Sequence, residues 1–267
     1  MTKYDKIIER VFFNNYHDFD RIVPFDRNEL AQACDDLGIA RIKNLGDIPY
    51  TYRFRKELPD SVNAKLPDGA DWIIVGKGTG RYEFRIASPG KIQPTTNRLR
   101  VKIPDATPEI VKKYAPGTDE QALLTKVRYN RLVDLFSGLT CYSIQNHLRT
   151  NLPSVGQIEI DEVYLGVNKK GTHFVIPCQA KSPGDRFGIV QVMQDIEFCK
   201  IKYPYAVCKP IALQFLSDQD VAILELAVEE VGDSYRLSVV DERHYTLVSK
   251  DGISYEEIAK QSAEEDI

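Results

Sequence analysis

Three side chains in the second half of the chain have types and spacing suited to hydrolytic chemistry: Asp161, Gln179 and Lys181. Each lies on a run with the composition of a strand. In GQIEIDEVYLGV (156–167), strand alternation places Glu159 and Asp161 on one face with Gln157, and Ile158 and Ile160 on the other. In THFVIPCQAK (172–181), Phe174, Val175 and Ile176 predict a buried strand that ends in Gln179-Ala180-Lys181, with Gln179 and Lys181 projecting to the same side. Paired as a hairpin, the two strands bring Asp161 toward Gln179 and Lys181 where the sheet opens to solvent. A carboxylate, an amide oxygen and an ammonium converging there would be costly in a purely structural role. Carboxylate and amide oxygens are the hard donors that Mg²⁺ takes, with waters and substrate phosphate completing its shell. A lysine beside such an ion orients or deprotonates an attacking water. Together these are the parts of a phosphodiester hydrolase. The plainer alternatives are an exposed Asp161–Lys181 pair of little energetic worth and a strand-end Gln179 that serves backbone groups.

The same residues resemble the motif of the PD-(D/E)XK nuclease superfamily, which includes many restriction endonucleases. Members carry an aspartate on the first strand of a hairpin, often in an E-I-D context, then acid-x-lysine at the end of the second strand, followed by a helix. Here E-I-D is Glu159-Ile160-Asp161 and the second half is Gln179-Ala180-Lys181. The resemblance covers roughly residues 120–215. It implies that Asp161 and Gln179 bind Mg²⁺, that the carbonyl of Ala180 is a further metal ligand, and that Lys181 stands beside the nucleophilic water. The chain departs from the family at Gln179, where most members have Glu or Asp, although some restriction enzymes carry Gln-x-Lys. Glu159 or Glu162 is then the acid that compensates. The helix after the lysine carries Gln191, Gln194 and Asp195, and relatives often place a glutamine there to support the site or touch DNA. The family's upstream helix often contributes a glutamate. The matching stretch here ends in Ile144-Gln145-Asn146-His147, with no acid.

The elements that must position these residues begin with two helices. Tyr4, Ile7, Ile8, Val11 and Phe12 have amphipathic helical spacing. Asp26 is an N-cap with Glu29 three residues on, Leu30, Ala33, Cys34 and Leu37 form the apolar stripe, and Gly38 is the stop. A turn over Ile39–Pro49 leads to a short third element. DWIIVG (71–76) and RYEFRIA (81–87), joined by Lys77-Gly78-Thr79-Gly80, read as a hairpin. Helix, helix, short element and basic hairpin suggest a winged helix, a module that presents a helix and a hairpin to DNA. Lys43, Arg53, Arg55, Lys56, Lys77 and Arg81 are interleaved with Tyr50, Tyr52, Phe54 and Tyr82, as cations for phosphates beside aromatic faces.

The proline-bearing stretch 104–119 marks the boundary between residues 1–104, a winged-helix-like DNA-binding domain, and residues 105–267, a nuclease-like domain. A helical stretch from Glu120 to Arg149 follows, broken at Gly138. After the two strands come a helix over 187–204, a strand over 207–215, a helix near 219–230, a hairpin around SYRLSVVDERHYTLVS and a polar tail. The fold class expected is α/β, α+β overall, with a restriction-endonuclease-like mixed sheet flanked by helices.

With 267 residues, 43 % hydrophobic and 28 % charged, the chain has ample material for a core, and disorder is excluded. The net charge of −4 excludes a uniformly basic coat, yet it averages two unlike segments. Residues 41–113 hold 15 Lys and Arg against 8 Asp and Glu, net +7, whereas 218–267 hold 4 against 14, net −10. No run of eighteen apolar residues and no apolar signal core are present, so the expectation is a cytoplasmic protein without a membrane partner. Cys34, Cys141, Cys178, Cys199 and Cys208 form no CxxC pair and read as reduced, mostly buried thiols. His147 and His173 read as structural or surface residues, and His17 and His244 have no companion at metal-ligand spacing. GKGTGRYEF lacks the phosphate-loop order, and Ser143 and Ser182 lack a nucleophile-elbow context.

The function these features predict is a Mg²⁺-dependent, sequence-specific endonuclease acting on double-stranded DNA, of the type II restriction kind, working as a homodimer beside a cognate DNA methyltransferase. The competing expectations are a DNA-binding regulator with an inactive nuclease-like domain and a repair or junction-resolving nuclease.

Overall fold

Reciprocal capping starts both long N-terminal helices. In the computed structural model, which describes all residues except 115, 116, 118, 154, 250, 266 and 267 and the side chains of 261, 264 and 265, α1 (Lys3–Asn15) is capped by Thr2 and Asp5. The box of Asp26 and Glu29 starts α2 (Arg27–Asp36), and Gly38 at φ 62° follows its end. Between these helices lies β1 (Ile22–Asp26), which the helical stripe does not announce. α3 (Asp47–Phe54) and α4 (Asp60–Asn63) precede the expected hairpin of β2 (Asp71–Gly76) and β3 (Arg81–Ala87). β1 and β2 both pair antiparallel with β3. The helices close over this small sheet in a cluster that includes Ile8, Phe12, Leu30, Ile48, Trp72 and Phe84, with the rings of Phe12 and Phe84 edge-on at 5.1 Å.

Asp5, buried under this layer, accepts hydrogen bonds from the Tyr52 hydroxyl at 2.7 Å and from the Lys56 ammonium. Burial alone would raise its pKa; Lys56, Tyr52 and Thr2 outweigh that and hold the carboxyl well below its ordinary value. A carboxyl depressed in the folded state stabilises the fold above its unfolded pKa, and that stabilisation is lost as pH falls. Asp5→Asn is therefore expected to lower the thermal midpoint at pH 7 and to narrow the gap to the parent chain as pH drops below about 4. A pH-independent gap would overturn this.

The chain continues through β4 (Lys91–Ile92), β5 (Arg100–Pro104), α5 (Glu109–Tyr114), α6 (Glu120–Tyr129), α7 (Leu132–Ser137), β6 (Thr140–Leu152), β7 (Gly156–Val167), β8 (His173–Lys181), β9 (Phe187–Gly188), α8 (Ile189–Lys202), β10 (Val207–Cys208), β11 (Ile211–Phe215), β12 (Asp220–Val231), β13 (Ser234–Val248) and α9 (Tyr255–Glu265). The mixed α/β class expected from sequence is the class observed. Among the described residues the large sheet has eleven strands, in the order β1-β3-β13-β12-β11-β8-β7-β6, with β2, β5 and β10 attached at its sides. It crosses from the first part of the chain to the second: β13 runs parallel to β3 through Ser234↔Ile86 and to β5 through His244↔Arg100. α6 and α7 cover one face, packing on Leu213, Phe215, Val221 and Ile223. α8 covers the other, packing on Ala212, Ala222 and Leu224. Part of the 104–119 boundary stretch and of the polar tail lies outside the described residues.

Several expected elements differ. Residues 140–149 are strand, not helix: Gly138, at φ 67°, ends α7, and the chain then pairs along β7 as an edge strand that leaves Tyr142 and Ile144 exposed. The segment near 219–230 is the buried strand β12, whose Val221, Ala222, Ile223 and Leu224 are covered on both faces. A fully buried strand has the same unbroken apolar run as a buried helix, so periodicity cannot separate them. The hairpin expected around 234–249 is one long strand paired back on β12. The strand over 207–215 is split into β10 and β11, and the tail carries α9. The five cysteines are free, and all but Cys208 are buried. No helix among the described residues is long and apolar enough to cross a membrane.

Candidate active site

The site is built where β7 and β8 part. Their ladder ends at Glu162↔Cys178. Beyond it the Asp161 side chain takes the place of a backbone acceptor, its Oδ2 receiving the Ala180 N–H at 2.8 Å. The opposite edge of β8 stays paired to β11 through Ala212↔Gln179, Leu213↔Ala180 and Gln214↔Lys181, which fixes the positions of these three residues. The β6–β7 pairing skips His147 and Asp161, and His147 has φ 46°. Side-chain alternation shifts across this irregularity. Ile158 and Ile160 pack with Phe198 and Cys199 of α8, as does Val163, while Tyr164 packs on the α6 side. Glu162 falls on the α6 side, bound to Arg128, and the ladder keeps one register across the skipped pair, its register shift lying between Ser143 and Gln145.

A cleft of about 240 Å³ opens there. It is lined by Glu159, Asp161, Gln179 and Lys181, by Gln191 and Gln194 of α8, by Glu120 of α6, and by Tyr50, Phe54 and Arg55 from α3 and its end. The sequence-derived group of Asp161, Gln179, Lys181 and Gln191 is thus brought together. Asp161 and Lys181 do not close into an ion pair; the Asp161 carboxylate is bound to backbone, which removes the surface-pair alternative. Burial pushes the Asp161 carboxyl up, against the pull of the Ala180 N–H, Lys181 and His147. Burial likewise raises Glu120, opposed by Lys181 and reinforced by the charges of Asp161 and Asp185. Two carboxylates in one half-closed cleft, each held above its ordinary pKa, leave negative charge that a cation would satisfy.

Gln179 is 5 % exposed. Its Nε2 donates to both oxygens of Asp195 at 2.9 and 3.2 Å and to the Glu159 carbonyl at 3.2 Å. With the nitrogen committed inward, Oε1 is the atom left for the cleft, so this amide can act as an oxygen donor where a carboxylate is usual. The backbone-serving alternative describes only its nitrogen. Burial pushes the Asp195 carboxyl well up, with Gln179 pulling it back. The donors on offer are the carboxylates of Asp161 and Glu120, the Gln179 oxygen and the Ala180 carbonyl, which leaves the strand on the same side as the N–H bound by Asp161. All are hard oxygens, and the set fits Mg²⁺.

Neither acid expected to compensate for Gln179 stands free to do so. Glu159 faces the cleft, but its carboxylate pairs with Arg149 at 2.8 Å. Glu162 is fully buried and bound bidentately by Arg128 of α6, both contacts at 3.0 Å, with the Ser143 hydroxyl also donating to it. The acid that reaches the cleft is Glu120, in the first turn of the helix capped by Asp119. Its only sequence signal is a place on the upstream helix, and the helix reading through 149 put the wrong end of that segment at the site.

The basic residues divide. Arg53, Arg55 and Lys56 line a second cleft of about 400 Å³, which shares Phe54, Arg55, Lys181 and Gln191 with the first. Lys56 also reaches inward to Asp5. Lys77 pairs with Glu83 at 3.3 Å, Arg81 is exposed beside the hairpin turn, and Lys43 is exposed on the loop before α3. These last three do not reach the 240 Å³ cleft. No family model, curated protein or solved structure matches the chain.

Proposed function

We propose that this chain is a Mg²⁺-dependent DNA endonuclease that hydrolyses phosphodiester bonds at the parted end of β7 and β8. The observation that carries the reading is the convergence of Asp161, Glu120, the Gln179 oxygen and an unpaired Lys181 in one cleft, with Asp161 tied to the Ala180 N–H at 2.8 Å. Asp161, Glu120, Gln179 and the Ala180 carbonyl would hold the metal, which when bound supplies positive charge to the phosphate oxygens. Lys181 orients the water for in-line attack and eases its deprotonation. Gln191 and Gln194 offer amides to the phosphate from the α8 side.

The order helix, strand, three helices, hairpin, with β3 between β1 and β2, supports reading residues 1–104 as a winged-helix-like DNA-binding part beside the nuclease part at 105–267. As a type II restriction enzyme, the chain would cut both strands at a recognition sequence as a homodimer or by successive nicks, in a system with a DNA methyltransferase.

Incubation with supercoiled plasmid tests this. Cleavage in Mg²⁺ and none in EDTA is expected. Discrete fragments support the restriction kind, and nicking confined to branched or unpaired substrates supports the repair kind. Binding without cleavage at any Mg²⁺ concentration would overturn the nuclease reading in favour of a regulator with an inactive site.

A further inference from the structure

Arg53 is a cation near the site with no carboxylate partner among the described residues. Its side chain is half-buried, its Nε is sealed from solvent without a hydrogen-bond partner, and burial lowers its pKa. Its guanidinium lies 5.0 Å from the ring centre of Phe54, and Tyr50 and Tyr82 line one cleft with it. Arg85, the other arginine with a buried orphan Nε, has Glu83 and Glu230 for partners at 3.4 and 3.0 Å. Among the described residues Arg53 has no such carboxylate. A half-buried guanidinium with a sealed, unpartnered Nε and no anion is costly, and a bound anion is what would offset it.

The position of Arg53 says which anion. It forms the shared wall of the 400 Å³ cleft and a third one of about 540 Å³, lined also by Arg27, Tyr50, Gly78, Tyr82 and Gln157. The 240 Å³ cleft lies between them, sharing Tyr50 and Gln157 with one and Phe54, Arg55, Lys181 and Gln191 with the other. The three adjoin through these shared walls, with the candidate cutting site at the middle. A second orphan donor, Nε2 of Gln194, a residue 5 % exposed, also belongs to that central cleft. A guanidinium fork matches the oxygens of a phosphodiester. Arg55 covers one face of Tyr50 at 5.0 Å and Phe25 stacks on one face of Tyr82 at 5.2 Å, which leaves the opposite face of each ring for a base, and stacking there needs a base with a free face, which a continuous duplex does not offer. α3, which carries Tyr50, Arg53 and Phe54, packs against α8 over the channel.

We infer that this channel binds an unpaired DNA strand, with Arg53 gripping a backbone phosphate beside the one that is cut and Tyr50 and Tyr82 stacking its bases. The substrate is therefore DNA that is unpaired at the site, whether at a branch, at a flap or by extrusion of nucleotides from a duplex. This rests on the reading above that the central cleft cuts phosphodiesters.

The test uses the full chain carrying Lys181→Ala, in EDTA, and a labelled fourteen-nucleotide DNA strand, alone or annealed as a blunt duplex, followed by fluorescence anisotropy. The single strand is expected to bind about 10-fold tighter than the duplex or more, and Arg53→Gln added to this chain to weaken strand binding about 10-fold. Tyr50→Ala should weaken it about 5-fold or more. The thermal midpoint of the Arg53→Gln chain should stay level or rise, because a half-buried uncompensated charge has been removed, whereas a purely structural arginine would lower it. Equal or tighter binding of the duplex, or an Arg53→Gln chain that binds the strand unchanged, would overturn the inference. Should Arg53→Gln fail to fold, Tyr50→Ala and Arg55→Gln carry the same comparison. Because these measurements need neither metal nor turnover, a chain that binds single strands but never cuts would sink the nuclease reading alone. Robust cleavage with indifferent Arg53 and Tyr50 would sink this inference alone.

Discussion

On the proposed function, Lys181→Ala is expected to lose Mg²⁺-dependent cleavage by about 10²–10⁴-fold, the range of a positioned proton-transfer group, while its affinity for DNA stays within a few-fold of the parent. Lys181 sits at the last position of β8, held by the Gln214 pairing to β11, and points its ammonium into the cleft without closing on Asp161. An amine kept free of the carboxylate 20 positions earlier is available to a water and a phosphate; an amine in a salt bridge would not be. The substitution removes one charge from a channel that retains Arg53, Arg55 and Arg186, so binding persists. The check is a cleavage time course beside an anisotropy titration of the same preparation. A Lys181→Ala chain that still cuts with the parent's Mg²⁺ dependence would remove Lys181 from the mechanism. A chain that loses binding and cleavage together would show that its part is electrostatic attraction.

The second large effect is on the fold. Arg128→Ala is expected to cost about 3 kcal/mol, because it leaves the Glu162 carboxylate, 0 % exposed, with only the Ser143 hydroxyl as partner. For a chain of this size that is a fall in thermal midpoint of roughly 6–12 °C. Arg128 is near the end of α6, and its two contacts at 3.0 Å tie that helix to β7. The same helix presents Glu120 to the cleft from its first turn, so loosening the tie should also raise the Mg²⁺ concentration needed for half-maximal cleavage. Differential scanning calorimetry and a Mg²⁺ titration read the two effects. A midpoint within about 2 °C of the parent would show that Glu162 relaxes to solvent or protonates without strain.

What was legible in the sequence was local. Strand alternation around Glu159-Ile160-Asp161, the apolar run before Gln179-Ala180-Lys181, and the capping box of Asp26 and Glu29 each depend on residues within a few positions, and each is found where the spacing puts it. Hence the central group of Asp161, Gln179 and Lys181 was readable before any tertiary contact was known. The helix ascribed to 140–149 and the one near 219–230 were misread for the converse reason. Their state is decided by backbone pairing to β7, and to β11 and β13, and the composition of a strand buried on both faces carries no period to betray it.

The sequence by itself determined the chemistry on offer: hard oxygens and a lysine at paired strand ends, and a basic, aromatic first part set against an acidic last part. Only the tertiary structure decided how these meet. It chose Glu120 over Glu159 and Glu162, since Arg149, opposite on the paired strand β6, occupies the first and Arg128, on α6, occupies the second. It turned the nitrogen of Gln179 onto the buried Asp195 and so assigned its oxygen to the cleft. And it laid α3 across the site instead of leaving it at a distance, because β13 stitches the first part of the chain to the large sheet. Charge, hydrogen bonding and burial act through space over a few ångströms, and residues more than a hundred positions apart become neighbours only when the sheet order is set.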